Sequence, residues 1–205
     1  MIADPKCNVC GIPFAHEQEG LTCGACLASP PAYDKAIAPV LYEEKGRELV
    51  LGLKHGRLFS AAPAMARLMA GHLARALYGE KDYLFVPLPL HPTRLMARRF
   101  NQSQILTEAL SEQTDIPMDA VALTRTRRTP SQGGLKKSGR LKNVKGAFWV
   151  ADKYTGTIDG KTILLVDDVL TTGATAGACA QALKNAGASA VIVVAFARVG
   201  EPLSG

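Results

Sequence analysis

The run Ile163-Leu164-Leu165-Val166-Asp167-Asp168-Val169-Leu170-Thr171-Thr172-Gly173-Ala174-Thr175 constrains the fold of this 205-residue chain more than any other segment. Four consecutive aliphatics suit the interior of a parallel sheet, where both faces are covered and the alternation of a half-exposed strand is lost. Two adjacent acids then end the strand. In an open α/β sheet, ligands bind beyond the carboxyl ends of the strands, so the acids stand where a ligand lies. The turn from Thr171 to Thr175 adds hydroxyls, a glycine that tolerates unusual backbone angles and the unpaired amides of a helix beginning nearby. Such a turn suits an anionic phosphate. Acids that hold hydroxyls beside a turn that holds phosphate predict a ribose-phosphate site.

Three competing readings of this run are weaker. Strand-ending acids and helix-capping threonines occur in many α/β proteins, but here the pattern is uninterrupted over its full length. A nucleotide triphosphatase needs a G-x-x-x-x-G-K-[ST] loop, which the chain lacks. Gly173 and Gly177 do not form G-x-G-x-x-G, which argues against a dinucleotide site. The run is similar to that of the type I phosphoribosyltransferases. That resemblance implies that Asp167 and Asp168 hold the ribose hydroxyls of phosphoribosyl pyrophosphate (PRPP), bound with Mg²⁺. It places the 5′-phosphate in the loop of Thr171, Thr172, Gly173, Ala174 and Thr175.

At the other end of the chain, Cys7-Asn8-Val9-Cys10-Gly11 and Cys23-Gly24-Ala25-Cys26 form two C-x-x-C pairs separated by twelve residues. This is the spacing of a small zinc ribbon. Four thiolates complete a closed tetrahedral shell with no open position, so the expected Zn²⁺ is structural. A redox dithiol wants its C-x-x-C at a helix start in a thioredoxin-like βαβ unit, and no such unit is apparent here. A segment this short buries too little apolar surface to fold alone, so metal binding supplies most of its folding free energy, of order 10 kcal/mol. His16 lies between the pairs and reads as a solvated loop residue. Cys179 sits in an alanine-rich helical stretch and reads as a small buried hydrophobe.

Hydrophobic residues make up 47% of the chain, a normal value for a globular protein. The longest apolar run, near Val191 to Ala197, is far shorter than the ~20 residues that span a bilayer. The first residues show no secretory pattern, so membrane insertion is not expected and the cytoplasm is the expected compartment. The net charge of +6 is concentrated: His91 to Gly146 holds eleven Lys or Arg against four Asp or Glu. Within it, Thr124 to Gly146 has eight basic residues and no acid. Such a block fits nucleic acid or a polyanionic small molecule, and charge alone does not choose between them.

The expected organisation is a zinc ribbon over residues 1–30, a stiff Pro30-Pro31 connector, and an α/β domain over residues 33–205. In that domain, strands are expected at Ile37 to Tyr42, Tyr83 to Val86, Phe148 to Val150, Ile163 to Val166 and Val191 to Phe196. Helices are expected at Glu43 to His55, Ser60 to Tyr78, Gln102 to Glu112 and Ala174 to Ala186. Strands alternating with helices imply a mainly parallel sheet flanked by helices. His72 and the methionines of the second helix read as boundary and packing residues.

Two basic segments complete the pattern. Pro87, Pro89 and Pro92 forbid continuation of the Tyr83 strand, so a loop is expected to carry Arg94, Arg98, Asn101 and Gln102 to the sheet edge as a second anion site. Arginine suits that role because its planar fork takes two phosphate oxygens at once. The segment from Arg125 to Lys137, with Arg127, Arg128, Gln132 and the Gly133-Gly134 pair, reads as a flap over pyrophosphate.

Together the C-x-x-C pairs, Val86-Pro87-Leu88-Pro89-Leu90-His91-Pro92-x-Arg94-Leu95-x-x-Arg98-x-Phe100-Asn101-Gln102-Ser103, Arg127-x-Thr129-x-x-Gln132, Arg140-x-x-Asn143-x-x-x-Ala147-Phe148 and the Asp167-Asp168 loop resemble the ComF family of competence-associated, phosphoribosyltransferase-like proteins. Arg99 stands where that family usually has glycine, so the backbone of this loop is expected to differ slightly. The resemblance implies a type I phosphoribosyltransferase-like fold and a link to uptake or use of single-stranded DNA. It also implies docking onto a competence helicase or a DNA-processing protein. Two functions stand at this point: transfer of a phosphoribosyl group to an unidentified acceptor, or sensing of PRPP or a nucleotide by a module that binds single-stranded DNA or competence proteins. No general base is identifiable, since His55, His72 and His91 lie at unknown distances from the acids.

Overall fold

The aliphatic run and its counterparts assemble into one parallel sheet in a computed structural model that describes residues 1–2, 4–14, 21–77, 82–126 and 146–200. Its strands are β1 (Lys35–Ile37), β2 (Val40–Leu41), β3 (Tyr83–Pro87), β6 (Thr162–Leu170) and β7 (Ala190–Arg198). The order is β1-β7-β6-β3, with β2 also on β7, and every pairing is parallel. The strand expected from Ile37 to Tyr42 is thus two short strands on the same edge of β7.

Alternation along the central strands explains why they read as continuous apolar runs. Ile163 and Leu165 join a core layer with Val191, Val193, Cys179, Ala180 and Leu183. Leu164 and Val166 join the opposite layer with Phe85, Phe196 and Leu53. That second layer is closed by three helices: α2 (Glu44–Lys54), α3 (Ala62–Ala76) and α5 (Gln102–Thr114). Met65, Met69 and Leu73 of α3 are buried there, as the helical spacing predicts. The first layer is closed by helix α6 (Ala174–Asn185) and by the antiparallel pair β4 (Leu123–Arg125) and β5 (Phe148–Val150). Phe148 to Val150 therefore lies outside the parallel sheet, paired instead with β4, a three-residue strand too short to show in the sequence. Helices packed on both faces of a parallel sheet make this an α/β fold, with an N-terminal four-cysteine cluster at its edge.

Two local differences bear on the site. The loop expected after the prolines contains a short helix, α4 (Pro92–Arg98), with Pro92 at its first position and His91 Nδ1 accepting from the Thr93 amide at 3.2 Å. Proline at the first turn loses no helical hydrogen bond, so Pro92 can begin a helix shortly after β3 ends at Pro87. At its far end Arg99 takes the left-handed conformation, φ 67°, that glycine favours at a helix terminus. The backbone thus keeps a glycine-type turn despite the arginine.

The N-terminal segment packs against the edge of the sheet. The Ala36 amide donates to the Val9 carbonyl at 2.7 Å, and the Ile2 amide to the Pro39 carbonyl at 2.7 Å. Gly11, at φ +68°, lies so close that a Cβ there would stand 3.0 Å from the Ala36 carbonyl oxygen.

Candidate functional site

β6 carries Asp167 and Asp168 to the carboxyl edge and continues beyond them to Leu170, pairing there with the end of β7. The acids are therefore inside the last turn of the strand instead of at its end, and the extra pairing fixes their backbone. Asp167 Oδ1 accepts from Ser103 Oγ at 3.1 Å and from the Asp168 amide at 2.9 Å. Burial pushes the Asp167 carboxyl well above the usual carboxylate range, and the neighbouring Asp168 adds to the shift while Lys54 opposes it.

Asp168 is 4% exposed, and its Oδ2 accepts no hydrogen bond among the described residues. Lys54, the last residue of α2, reaches it as an ion pair at 3.6 Å. A buried carboxylate oxygen without a hydrogen-bond donor is costly, so Asp168 Oδ2 would gain from a hydroxyl or a cation that came within reach of it.

The loop follows directly. Thr171 is exposed and Thr172 half-buried, and Thr172 Oγ1 accepts from the Ala174 amide at 3.4 Å. Gly173 has φ +77°, and a Cβ there would stand 2.8 Å from the Tyr33 hydroxyl. Glycine is required at this position on both counts. The amides that open α6 face the loop with no acidic residue in the first turn. That arrangement could hold an anion through backbone N–H groups and the helix dipole.

The second basic segment, expected as an anion site, is divided between two jobs. Asn101 caps α5, its Oδ1 accepting from the Ser103 amide at 3.1 Å while its Nδ2 donates to the Leu88 carbonyl at 3.1 Å. Gln102 is buried and accepts from Arg98 at 3.2 Å. These residues therefore hold Ser103 beneath Asp167 and brace the loop. Arg94 is half-buried and close enough to Arg125 that, after burial, its charge lowers the Arg125 guanidinium. Arg125 is itself buried, 5.3 Å over the Phe148 ring. Arg127, Arg128, Gln132 and the Gly133-Gly134 pair lie outside the described residues, as does His16.

Sequence reasoning missed Lys54, Ser103, Tyr33 and Arg198. Nothing in the sequence around Lys54 distinguishes it from other helix-end lysines. Arg198 did leave a signal, as a lone guanidinium ending an aliphatic strand at the same sheet edge as the acids. His55 caps the end of α2, and His91 caps the start of α4. His72 Nδ1 pairs with the Leu68 carbonyl of its own helix at 3.1 Å, consistent with a helix-surface residue.

The four cysteines come together as their spacing predicts. The sulfurs of Cys7, Cys10, Cys23 and Cys26 all lie within 4.8 Å of one another and are free of disulfides. Cys10 and Cys23 Sγ are 3.7 Å apart. A tetrahedron with Zn–S bonds of about 2.3 Å has edges of about 3.8 Å, so the set fits Zn²⁺. Burial tends to raise the Cys7 thiol, but N–H groups of Cys10, Cys23 and Val9 hold it down at about 7. Burial raises Cys10 and Cys26, so these two would release protons as a metal binds. A cavity of about 1110 Å³ lies between this cluster and the loop, with Cys10, Tyr33, Phe148, Thr172, Gly173 and Arg198 in its walls. Among the described residues, no helix is long and apolar enough to cross a membrane.

Residues 65–203 match the phosphoribosyl transferase domain family. Over 195 residues the chain is 34% identical to the DNA utilization protein YhgH of Escherichia coli K12, covering 94% of this chain and 83% of that one. It is 30% identical over 197 residues to competence protein F of Haemophilus influenzae, covering 95% and 85%. Among solved structures it is similar to an allosteric regulatory enzyme of purine biosynthesis, at 22% identity and a TM-score of 0.42, over 67% of this chain and 25% of that one. With the four-cysteine cluster ahead of a phosphoribosyltransferase domain, and with these relatives matched along nearly its whole length, the chain belongs to the ComF family of DNA utilization and competence proteins.

Proposed function

We propose that this protein binds PRPP with Mg²⁺ at the carboxyl edge of its sheet and transfers the phosphoribosyl group to an acceptor. The single observation that carries this reading is the side-by-side placement of the Asp167-Asp168 pair and the Gly173 turn at the start of α6. The buried, undonated Oδ2 of Asp168 supports a ribose hydroxyl or Mg²⁺ at that point. Mg²⁺ would supply charge neutralisation for the pyrophosphate leaving group. Asp167, fixed by Ser103, orients the sugar, and the α6 amides hold the 5′-phosphate. Arg94 and Arg125 supply positive charge from the β4 side, where a polyanionic leaving group needs it. The basic flap from Arg127 to Gln132 belongs to this reading as the part that covers pyrophosphate.

The test is competition between fragments. Ribose 5-phosphate and pyrophosphate, each titrated with Mg²⁺, should both displace PRPP, because they occupy different halves of one site. Failure of ribose 5-phosphate to compete would remove the loop from the site.

A second reading rests on the names and likeness of the relatives: the same pocket senses PRPP or a nucleotide while the basic segment of residues 124–146 and the zinc ribbon bind single-stranded DNA, a competence helicase or a DNA-processing protein. Pyrophosphate release in the presence of candidate acceptors separates the two, since a sensor binds PRPP without consuming it.

A further inference from the structure

Arg198 is the last residue of β7, aligned across the sheet with Leu170 at the end of β6. It is 8% exposed, and among the described residues it makes no ion pair with a carboxylate. Its guanidinium instead reaches in two directions. On one side Nε donates to the Cys10 carbonyl at 3.2 Å, and the group also meets the Cys10 thiol. On the other, Nη1 donates to the carbonyls of Leu170, at 3.1 Å, of Thr171, and of Val199, at 2.8 Å. Leu170 and Thr171 lead directly into the Gly173 turn.

A buried cation held by carbonyls and a thiol lacks a full counter-charge among the described residues. Two anions would supply it here. Four thiolates around one Zn²⁺ leave a net negative charge beside Cys10, and a phosphate in the Thr171–Thr175 loop would bring another. Tyr33 adds a second, steric link: its buried ring lies against Gly173, and the cluster's thiols are close enough to influence its hydroxyl.

We propose that Arg198 is a positioning residue that couples metal occupancy of the four-cysteine cluster to the geometry of the phosphate loop. With Zn²⁺ bound, Cys10 is fixed and Arg198 holds the Leu170 and Thr171 carbonyls in place. With the metal removed, Cys10 is released, Arg198 loses one anchor, and the turn opening α6 loosens. This rests on the reading that the loop takes a phosphate, but the coupling itself has a readout that needs no ligand.

That readout is hydrogen–deuterium exchange of residues 170–177, which include the Ala174 and Gly177 amides bonded within the loop. It is measured with zinc bound and after chelation, in the wild type, Arg198→Lys and Arg198→Gln, with metal content and circular dichroism followed in parallel. Zinc removal should speed exchange in the wild type about tenfold, and in either variant by about twofold or less, starting from a faster rate. Lysine keeps the charge but not the fork that spans both sets of carbonyls, so it should not restore coupling. By linkage, PRPP should tighten zinc binding to the wild type and not to the variants, read by titration against a competing chelator. Equal loop exchange in the wild type with and without zinc would overturn the proposal. So would folded variants that respond to chelation as the wild type does. Zinc-dependent exchange in a wild type that binds no PRPP would uphold the coupling and defeat the phosphate reading instead.

Discussion

Ser103 donates its hydroxyl to Asp167 at 3.1 Å across 64 positions of sequence, joining the first turn of α5 to the acid of β6. Ser103 is fully buried, and its own amide is held by Asn101. The Asn101-Gln102-Ser103 motif thus reaches the proposed ribose site through Asp167. Ser103→Ala should destabilise the fold by about 1 kcal/mol, the cost of one such hydrogen bond. It should also weaken PRPP binding while leaving zinc content unchanged. Urea denaturation and calorimetry check the two effects separately.

Asp167 sets the pH response of the ligand-free protein. Its folded-state pKa is raised, so the folded chain binds more protons than the unfolded chain between the unfolded value, about 3.9, and the raised one. Stability from this group is fully present below the unfolded pKa and is lost as pH rises through the folded pKa. Asp167→Asn should therefore be more stable than the wild type at neutral pH and show a flatter decline of Tm across that window. Thermal melts at several pH values check it. A decline of stability with pH as steep in the variant as in the wild type would remove Asp167 as the cause.

Arg99 holds a left-handed backbone that costs a non-glycine residue roughly 1 kcal/mol. Arg99→Gly should raise stability by up to about 1 kcal/mol, reduced by the greater freedom of glycine in the unfolded chain. Chemical denaturation measures it. Since Arg99 is exposed and outside the acid-and-loop site, PRPP affinity should hold.

Much of the architecture is legible in the sequence because it depends on local patterns. Ile163 to Val166 reads as a doubly covered strand, Met65 to Leu73 as a buried helix face, and the cysteine spacing as a metal cage. These signals are periodicities and spacings that need no knowledge of tertiary contacts. The missed features are long-range. Lys54 meets Asp168 only because α2 packs over the sheet, and Ser103 meets Asp167 only because α5 begins beside β6. The helix from Pro92 to Arg98 is not legible as a helix, because proline forbids strand continuation and helix interior alike, yet is welcome at a helix start. β5 is legible as Phe148 to Val150, but its antiparallel pairing with β4 is not, because the three residues Leu123–Arg125 carry too few alternations to register as a strand.

The central claim is that Asp167 and Asp168, with the loop that follows them, bind PRPP. It is tested most directly by calorimetry with PRPP and Mg²⁺ on the wild type and on the double variant Asp167→Asn, Asp168→Asn. The wild type should bind, and the variant should lose about 1–3 kcal/mol of affinity as charged hydrogen bonds to the ribose are removed. Equal affinity in a folded double variant would contradict the account and place the ribose elsewhere.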